Sequence, residues 1–446
     1  MANGRARTGW ERVFKGPAQN ADLSATRRLY VLFLMGLVTA LAVMDRNILN
    51  VLLTPIKHEI GASDTAMGLL TGTAFAVFYA TAAIPISRLV DTWNRRNLLA
   101  ISLAVWSGAT ALCGLASTYF HLLLGRIGVA AGEASASPAV TSIIADIYPP
   151  RRRATALGVI LMGTGVGVLA GSYLGGFVAD AYGWRTAFTV VGVPGVLLAL
   201  LLWQTTPEPV RGAFEGGVKD DPDSATLGAT LRYVSRTPTF GFIMSGKAMV
   251  QIGSQASQIW IPAFLVRIHG MSLTEVGLWF GLAIAGGTIL AAIFAGVMSD
   301  RLAKSDPKWY LYFCIGSQSL AAPAVVLLTL TGTPALAITM IFVHAFVSSC
   351  NTTPSLAAGL LVVRPRMRGF AVASMNFVIN LVGAGLGGLL IGVLNDLLAP
   401  RFGLEAIRYS LLLSPAAALI GAGFYFLGSR TIARDGAKAL QVAASA

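Results

Sequence analysis

Charged residues are scarce in this chain. Asp, Glu, Lys and Arg make up 12% of its 446 residues, about half of the share that a soluble domain carries. Hydrophobic residues make up 55%, and the mean hydropathy is +0.69. Because a water-exposed surface needs far more charge than this, a soluble globular protein is excluded. The composition predicts a multi-pass membrane protein.

The sequence is also poor in groups that carry out chemistry. Its three cysteines, Cys113, Cys314 and Cys350, lie in apolar runs and indicate neither a disulfide framework nor a zinc site. The sequence shows no phosphate-binding loop of the Walker type, and no Ser/His/Asp or metal-ligand cluster. We therefore expect that the protein is not an enzyme and needs no metal and no organic cofactor.

Long apolar runs dominate the sequence. Twelve segments each approach or exceed the roughly 20 residues that an α-helix needs to cross a bilayer. The segment 1–28 is polar and basic, without the apolar core or cleavage site of a signal peptide. These features predict an all-α membrane protein in five parts: a tail (1–28), a six-helix bundle (29–204), a polar loop (205–237), a second six-helix bundle (238–429) and a tail (430–446).

The basic residues are distributed unevenly. With twelve spans, both termini share one side with alternate loops, and that side carries 25 of the 33 lysines and arginines. Five lie on the other side, and three lie inside spans. By the positive-inside rule, the termini and the central loop are cytoplasmic. The net charge of +13 therefore reports membrane orientation, and we expect a bacterial inner-membrane protein with no nucleic-acid partner.

The two halves of the sequence repeat one another. Five positions recur at one constant offset: Ser63, Thr65, Gly68, Gly72 and Asp91 correspond to Ser272, Thr274, Gly277, Gly281 and Asp300. A six-span repeat predicts two parallel halves, and transporters of that build hold their substrate near the midplane between the halves. We therefore expect a transporter, although a purely structural duplication would give the same pattern.

A motif recurs in the loops after spans 2 and 8. The first loop reads Ser-Arg-Leu-Val-Asp-Thr-Trp-Asn-Arg-Arg (87–96), and the second contains Gly-Val-Met-Ser-Asp-Arg (296–301). Both resemble the signature loop of the major facilitator superfamily, Gly-x-Leu-x-Asp-Arg-x-Gly-Arg-Arg, with departures at Ser87, Thr92 and Asn94. The resemblance implies the major facilitator fold: twelve transmembrane helices in two six-helix halves that work by alternating access.

The same motif is a candidate cytoplasmic gate. A carboxylate at a helix end, flanked by guanidinium groups, can clamp neighbouring helix ends through charge-assisted hydrogen bonds. We expect such a clamp to hold the outward-open state and to release in the other state. The alternative is that these charges only set the membrane orientation. The candidate gate residues are Asp91, Arg95, Arg96, Asp300 and Arg301.

A narrower resemblance covers roughly the segment 40–205. Its motifs are Met-Asp-Arg-Asn (44–47) in span 1, Trp-Ser (106–107) in span 3, and Arg126 with Gly-Glu-Ala-Ser (132–135) in span 4. These motifs resemble the spinster family, proton-linked exporters of lysophospholipids and sphingosine phosphate. The resemblance implies that Asp45, Arg46 and Glu133 are coupling residues, with Arg126 beside them.

Charges inside a membrane span are expensive and are retained in bundle interiors or watery cavities. Spans 1 and 4 line the central cavity in this superfamily, so we expect Asp45 and Arg46 to meet Arg126 and Glu133 near the midplane. We expect Glu133 to exchange the coupling proton, with Arg126 compensating its charge. Asp45, next to Arg46 in the sequence, should be the better compensated acid. Protonated Glu133 would free an arginine for an anionic headgroup. The alternative is a static ion network.

Lys247 is the only charged residue inside a span of the second half. We expect it either to extend to the cytoplasmic surface or to add positive charge to the substrate cavity. The first hypothesis for function is a monomeric, proton-coupled exporter of lysophospholipid-like or sphingosine-phosphate-like amphiphiles, surrounded by membrane lipids. Alternatives are a proton-coupled drug or organic-anion transporter, and an uncoupled lipid facilitator or a sensor that transports nothing.

Overall fold

The computed structural model describes residues 23–211, 232–364 and 367–444. Most of the predicted N-terminal tail and most of the central loop lie outside these residues. The helices are α1 (Ala25–Ile60), α2 (Asp64–Thr92), α3 (Arg95–Cys113), α4 (Tyr119–Ile147), α5 (Pro150–Tyr182), α6 (Trp184–Thr205), α7 (Pro238–His269), α8 (Leu273–Ala303), α9 (Lys308–Leu330), α10 (Pro334–Leu361), α11 (Arg368–Val378, Ile379–Ala384 and Gly385–Phe402), α12 (Leu413–Ser429) and α13 (Ile432–Ala444).

Helices α1 to α12 occupy the twelve predicted spans. Within the described residues, ten helices are long and apolar enough to cross a membrane, or eleven if α12 and α13 form one bent span. Helix α7 is not among the ten: it has 32 residues, but it carries Lys247 and several glutamines. It nevertheless packs closely on α12, where Gly253 meets the backbone of Ser414. Helix α13, which lies in the predicted C-terminal tail, begins after a 56° bend.

The internal repeat appears in the corners that join α1 to α2 and α7 to α8. Gly61 and Gly270 hold equivalent positions of the repeat, and they end α1 and α7 with φ angles of +69° and +63°. Only glycine adopts this left-handed backbone without strain. Ser63 and Ser272 then begin the next helices, because each hydroxyl accepts a hydrogen bond from the backbone N–H three residues later. The repeat in sequence is thus a repeat in structure.

Glycines bring α5 into contact with α1. A Cβ atom on Gly171 would lie 2.6 Å from the carbonyl oxygen of Met44 and 2.8 Å from its Cα. Such small residues let two helix backbones approach closely, and this packing drives helix association in a bilayer. Further glycines of α5, Gly163 and Gly167, make the same kind of close approach to the backbone of α1. These glycines therefore fix the position of α1, which carries Asp45 and Arg46.

Replacing Gly171 by alanine is expected to lower the thermal unfolding temperature of the purified protein by several degrees. The added methyl group clashes with the backbone of α1, and overpacking of this kind costs about 1–3 kcal/mol. Gly158→Ala on the same helix is the matched control, because a Cβ there has no neighbour within 4 Å. Alanine is also the better helix former, so the control should be neutral or stabilising. Equal destabilisation by both changes would contradict this interpretation.

The two halves contact each other through α5 with α8 and α2 with α11. We call the face at which α1 begins and α12 ends the terminal face and the opposite one the distal face. Close glycine contacts join the halves toward the distal face: Gly176 on Leu273, Gly277 on Ser172, Gly68 on Gly388 and Gly392 on Asp64. Toward the terminal face, a Cβ on Gly158 of α5 or Gly296 of α8 would meet nothing within 4 Å. The protein is therefore closed at the distal face and open toward the terminal face.

Candidate functional site

The centre of the site is an ion pair between α1 and α4. Helix α4 is interrupted at residues 134–135, so Glu133 ends its first section. Its side chain is 1% exposed, and one carboxylate oxygen pairs with the guanidinium group of Arg46. The Arg46 side chain is 39% exposed and faces a cavity. The pair thus joins a buried acid to a base that a ligand can reach.

Asp45 and Arg126 occupy the buried side of the same cluster. Their exposed fractions are 1% and 2%. Nη1 of Arg126 donates a hydrogen bond to the backbone carbonyl of Asp45, at 3.2 Å. Within the described residues, neither carboxylate oxygen of Asp45 has a hydrogen-bond partner. Of the two acids in the cluster, Asp45 is therefore the one whose carboxylate makes no hydrogen bond to a described residue.

Two expectations about this cluster are wrong. Asp45 is not the better compensated acid, because adjacent helical residues point about 100° apart and Arg46 therefore turns away from it. The partner of Glu133 is Arg46 rather than Arg126. Neither adjacency in the sequence nor a shared helix face predicted the ion pair correctly, because contacts between helices decide which charges pair.

Two aromatic side chains of α2 complete the cluster. The rings of Phe75 and Tyr79 stack at 5.8 Å between centroids. The Arg46 guanidinium lies 4.9 Å from the Phe75 ring and 5.3 Å from the Tyr79 ring, and the Arg126 guanidinium lies 5.1 Å from the Phe75 ring. These cation–π contacts hold both arginines beside the cavity. Sequence reasoning missed both aromatics; their i, i+4 spacing was the available signal.

A polar cavity of about 260 Å³ lies between the halves. Arg46 and Arg126 form part of its wall on the N-terminal half. The wall on the C-terminal half carries amides of α7 and α11, namely Gln251, Gln255, Gln258 and Asn380. The cavity therefore offers two cations facing a set of neutral hydrogen-bonding groups.

A second cavity, of about 340 Å³, adjoins the first and is mainly apolar. Val43, Arg46 and Tyr79 line both cavities. The second one extends toward the terminal face along α5, where Leu157 and Leu161 form its wall. A polar chamber and an apolar chamber therefore meet at Arg46.

Lys247 lies apart from both cavities. Its side chain is buried inside the C-terminal half, and Nζ donates a hydrogen bond to Oγ of Ser355, at 3.2 Å. It forms no ion pair with a carboxylate of the described residues. Lys247 thus neither reaches the membrane surface nor lines the cavity, and both expectations for it are wrong. The reason is that α7 turns this residue toward α10.

Arg95 and Arg96 of the gate motif bind within the N-terminal half. Arg95 is 1% exposed; it pairs with Asp146 of α4, and its Nε donates to Glu208 at 2.9 Å. The backbone N–H of Arg96 donates to the same carboxylate, at 2.9 Å. These two residues therefore tie α3 to α4 and to the end of α6. They do not bridge the halves in this state.

The other gate residues, Asp91, Asp300 and Arg301, are exposed at the terminal face. Asp300 accepts a hydrogen bond from the hydroxyl of Tyr310 in its own half, at 3.0 Å. In the part of the chain that the structure describes, none of the three forms an ion pair across the halves. A clamp between these residues in the opposite state stays a prediction.

Ion pairs close the distal face. Arg267 of α7 donates two hydrogen bonds to the carboxylate of Asp64 on α2, at 2.7 and 2.9 Å. Lys57 at the end of α1 lies 2.6 Å from the same carboxylate. Bidentate guanidinium–carboxylate contacts are among the strongest of charged hydrogen bonds. Arg267 therefore holds the C-terminal half against the N-terminal half.

Two further carboxylates cap helices across the interface. Asp396 of α11 accepts the backbone N–H groups of Asp64 and Thr65, at 3.0 and 2.7 Å. Asp180 of α5 accepts the N–H and hydroxyl of Thr274, at 2.7 and 2.6 Å. A carboxylate at a helix N-terminus is favourable because of the helix dipole. Each half thus caps the first turn of a helix in the other half.

Sequence reasoning missed these distal contacts. In the sequence, Lys57 and Arg267 are two of the five basic residues counted on the side opposite the termini, and no motif marks Asp180 or Asp396. A signal was present, because Asp180 and Asp396 hold nearly equivalent positions in the two halves of the repeat.

Comparison with known proteins shows which family has this architecture. The family model described as Major Facilitator Superfamily matches residues 35–388. An MFS-type efflux pump of Mycolicibacterium smegmatis is 33% identical over 418 residues, covering 93% of this chain and 96% of the relative. Protein spinster homolog 1 of Homo sapiens is 29% identical over 444 residues, covering 93% and 83%.

Solved structures agree. A bacterial homolog of the human lysosomal transporter spinster, in an inward-facing and unoccupied conformation, superposes with a TM-score of 0.84 at 30% identity, covering 93% of this chain and 99% of that one. Its occupied, inward-facing form gives 0.81 at 29% identity, with the same coverage. The predicted fold and family are confirmed. The chain belongs to the major facilitator superfamily: it is a membrane transporter that resembles the spinster proteins, and it is not an enzyme.

Proposed function

We propose that the protein is a proton-coupled secondary transporter that exports lysophospholipid-like or sphingosine-phosphate-like amphiphiles. The observation that carries the proposal is the junction of a polar and an apolar chamber at Arg46. An amphiphile has a phosphate headgroup for the first chamber and an acyl chain for the second. The mycobacterial relative is named an efflux pump, and a solved relative is a homolog of a lysosomal transporter.

The headgroup binds at Arg46 in this proposal. A guanidinium group presents five N–H donors in a plane and matches phosphate geometry. Arg46 uses one edge for Glu133 and, being 39% exposed, keeps donors for a ligand in the polar cavity. The amides of α7 face it and supply further hydrogen bonds. The ion pair with Glu133 therefore orients Arg46 toward the substrate.

Coupling follows from that orientation. Export driven by an inward proton gradient requires exchange, because the proton must enter as the amphiphile leaves. An order in which protonation of Glu133 frees an arginine for the headgroup would move both in the same direction. We infer the opposite order: ionised Glu133 holds Arg46 in place for the headgroup, and protonation of Glu133 releases Arg46 and the amphiphile. One proton supplies roughly 2.3 kcal/mol per 100 mV, enough for about 50-fold accumulation.

Alternating access uses the two faces in turn. We take the terminal face as cytoplasmic, because it carries most of the basic residues, in a bacterial inner membrane. The described state is then inward-open and closed by the distal contacts of Asp64, Asp180 and Asp396. In the outward-open state, the motif around Asp91 and Asp300 would clamp the cytoplasmic face. The protein works as a monomer, since each half completes the cavity of the other.

The double variant Asp180→Asn/Asp396→Asn is expected to shift the protein toward the outward-open state. Both caps cross the halves, and an amide holds a helix N-terminus less strongly than a carboxylate. Spin labels at His58, in the last turn of α1, and at Leu404, in the short helical turn after α11, should report a new population at longer distance, since both residues are exposed at the distal face and belong to different halves. Glu59→Gln is the matched control, because Glu59 pairs with Arg185 inside one half. An unchanged distance distribution in the double variant would contradict the assigned role.

A substrate panel in proteoliposomes tests the proposed substrate class. Flux of a lysophospholipid should exceed that of a water-soluble organic anion, and other lysolipids should compete with it. Transport of the soluble anion, unaffected by lysolipids, would instead favour a drug or organic-anion transporter, the alternative that the efflux-pump relative suggests. Flux that ignores a pH gradient would indicate an uncoupled facilitator, and no flux at all would indicate a sensor.

A further inference from the structure

A strongly basic pocket lies on the terminal face of the C-terminal half, away from the transport site. Its volume is about 410 Å³. It is formed by the segment before α7, the end of α10 and the final helix α13. Four arginines and one lysine line it: Arg232, Arg236, Arg364, Arg434 and Lys438.

The described residues do not balance the positive charges in this pocket. Among the described lining residues, Asp435 is the only carboxylate, and it is already engaged. It accepts the backbone N–H and hydroxyl of Thr239, at 3.2 and 2.7 Å, and Nε of Arg434, at 3.0 Å. Five cations against one acid leave four positive charges around one cavity. Like charges held this close repel each other unless an anion lies between them.

Arg364 also has a hydrogen-bond donor that no described residue satisfies. Its guanidinium lies 4.7 Å from the centre of the Tyr233 ring. Its Nε is buried and has no hydrogen-bond partner among the described residues. The side chain is thus held in place by packing on the aromatic ring while keeping donors for a ligand. Such a preformed guanidinium is suited to a phosphate group.

The pocket also lies at the level where lipid headgroups are found. Helix α13 turns by 56° from the transmembrane helix α12 and so leaves the direction of that span. It is amphipathic: Ile432, Asp435 and Ala439 are buried, whereas Arg434 and Lys438 are exposed. Interfacial helices of this kind, with basic residues on the polar face, attract anionic lipids.

We propose that this pocket binds the phosphate group of an anionic phospholipid from the leaflet at the terminal face. The lipid supplies the negative charge that the pocket lacks and anchors α13 against α7 and α10. Free inorganic phosphate has the same recognition chemistry, so the test must separate the two sources. The proposal does not rest on the transport mechanism, because no lining residue of this pocket lines the central cavity.

The test measures lipid retained by the purified protein, using native mass spectrometry with phosphatidylglycerol and phosphatidylcholine. The pocket variant is Arg236→Gln/Lys438→Gln, since both side chains are exposed and their loss should spare folding. The control is Lys304→Gln/Lys308→Gln, which removes two charges from the same face outside the pocket. An added arm supplies inorganic phosphate as competitor.

Wild type and control are expected to retain phosphatidylglycerol in preference to phosphatidylcholine. The pocket variant should bind phosphatidylglycerol at least about tenfold more weakly, since each basic residue near the surface is worth about fivefold in affinity. Equal retention by wild type and the pocket variant overturns the proposal, as does an equal loss in the control. If inorganic phosphate binds and phosphatidylglycerol adds nothing, the ligand is a soluble phosphate and the lipid assignment is wrong.

Discussion

Replacing Glu133 by glutamine is expected to reduce gradient-driven transport to background while the protein still folds. Glutamine has the size of glutamate but cannot exchange a proton, and like the protonated acid it offers Arg46 only a weaker, neutral hydrogen bond. The variant should also lose the pH dependence of transport, because it resembles the protonated state at every pH. The measurement is lysophospholipid flux in proteoliposomes over a range of pH values, with thermal unfolding as the folding check.

Glu275→Gln is the matched control for this experiment. Glu275 is exposed and belongs to a capping box with Ser272 at the start of α8, and glutamine serves in that motif as well. The control should transport like wild type. Undiminished, pH-dependent transport by Glu133→Gln would remove Glu133 from the coupling mechanism and turn attention to Asp45, the other acid of the cluster.

Replacing Arg46 by lysine is expected to weaken amphiphile binding by about 10- to 100-fold. A lysine keeps the positive charge but cannot bridge Glu133 and a phosphate group with parallel donors. Hydrogen bonds to charged groups are worth about 1.5–3 kcal/mol, which sets the size of the effect. Lysine also spares Glu133 the loss of its counter-ion, a change that would destabilise the protein by about 3–5 kcal/mol.

Arg126→Lys separates the roles of the two arginines. Arg126 is 2% exposed and donates to the backbone of Asp45, so fewer of its donors reach the cavity. Its replacement should weaken amphiphile binding less than Arg46→Lys does, as measured by equilibrium binding of a lysophospholipid in detergent. A larger loss in Arg126→Lys would reassign the headgroup to Arg126.

Much of the fold could be predicted from the sequence, because the bilayer restricts the possible structures. An apolar run of sufficient length must be a helix, since no water is present to satisfy its backbone groups. The constant offset of the repeat matched Ser63 with Ser272, and the structure shows that the corners before them, at Gly61 and Gly270, share a left-handed backbone. Helix α7 was also predicted as a span despite its polar face.

The pairing of charges could not be predicted in the same way. Asp45 and Arg46 are neighbours in the chain but point in different directions, and Glu133 meets Arg46 only because α1 and α4 cross at that level. Lys247 has one environment in the structure and two plausible ones in the sequence. Helix rotation and crossing decide these contacts, and neither follows from apolar periodicity alone.

The distal closure shows a second limit. Asp180 and Asp396 matter because each caps a helix that belongs to the other half. These caps form in only one conformational state. The sequence encodes both states and does not show which contacts belong to which. The contacts expected of Asp91 and Asp300 on the terminal face belong to the other state, and outward-open conditions are needed to observe them.

The central claim is that ionisation of Glu133 controls how Arg46 holds an amphiphile, and the most direct measurement is lysophospholipid flux in proteoliposomes with and without a pH gradient. Flux is expected to follow the imposed gradient and to fall to background when a protonophore collapses it. Lysophospholipid transport is also expected to move protons in the opposite direction, which a pH-sensitive dye inside the vesicles would detect. Lysophospholipid flux of equal size with and without the gradient, and without proton movement, would contradict the central claim.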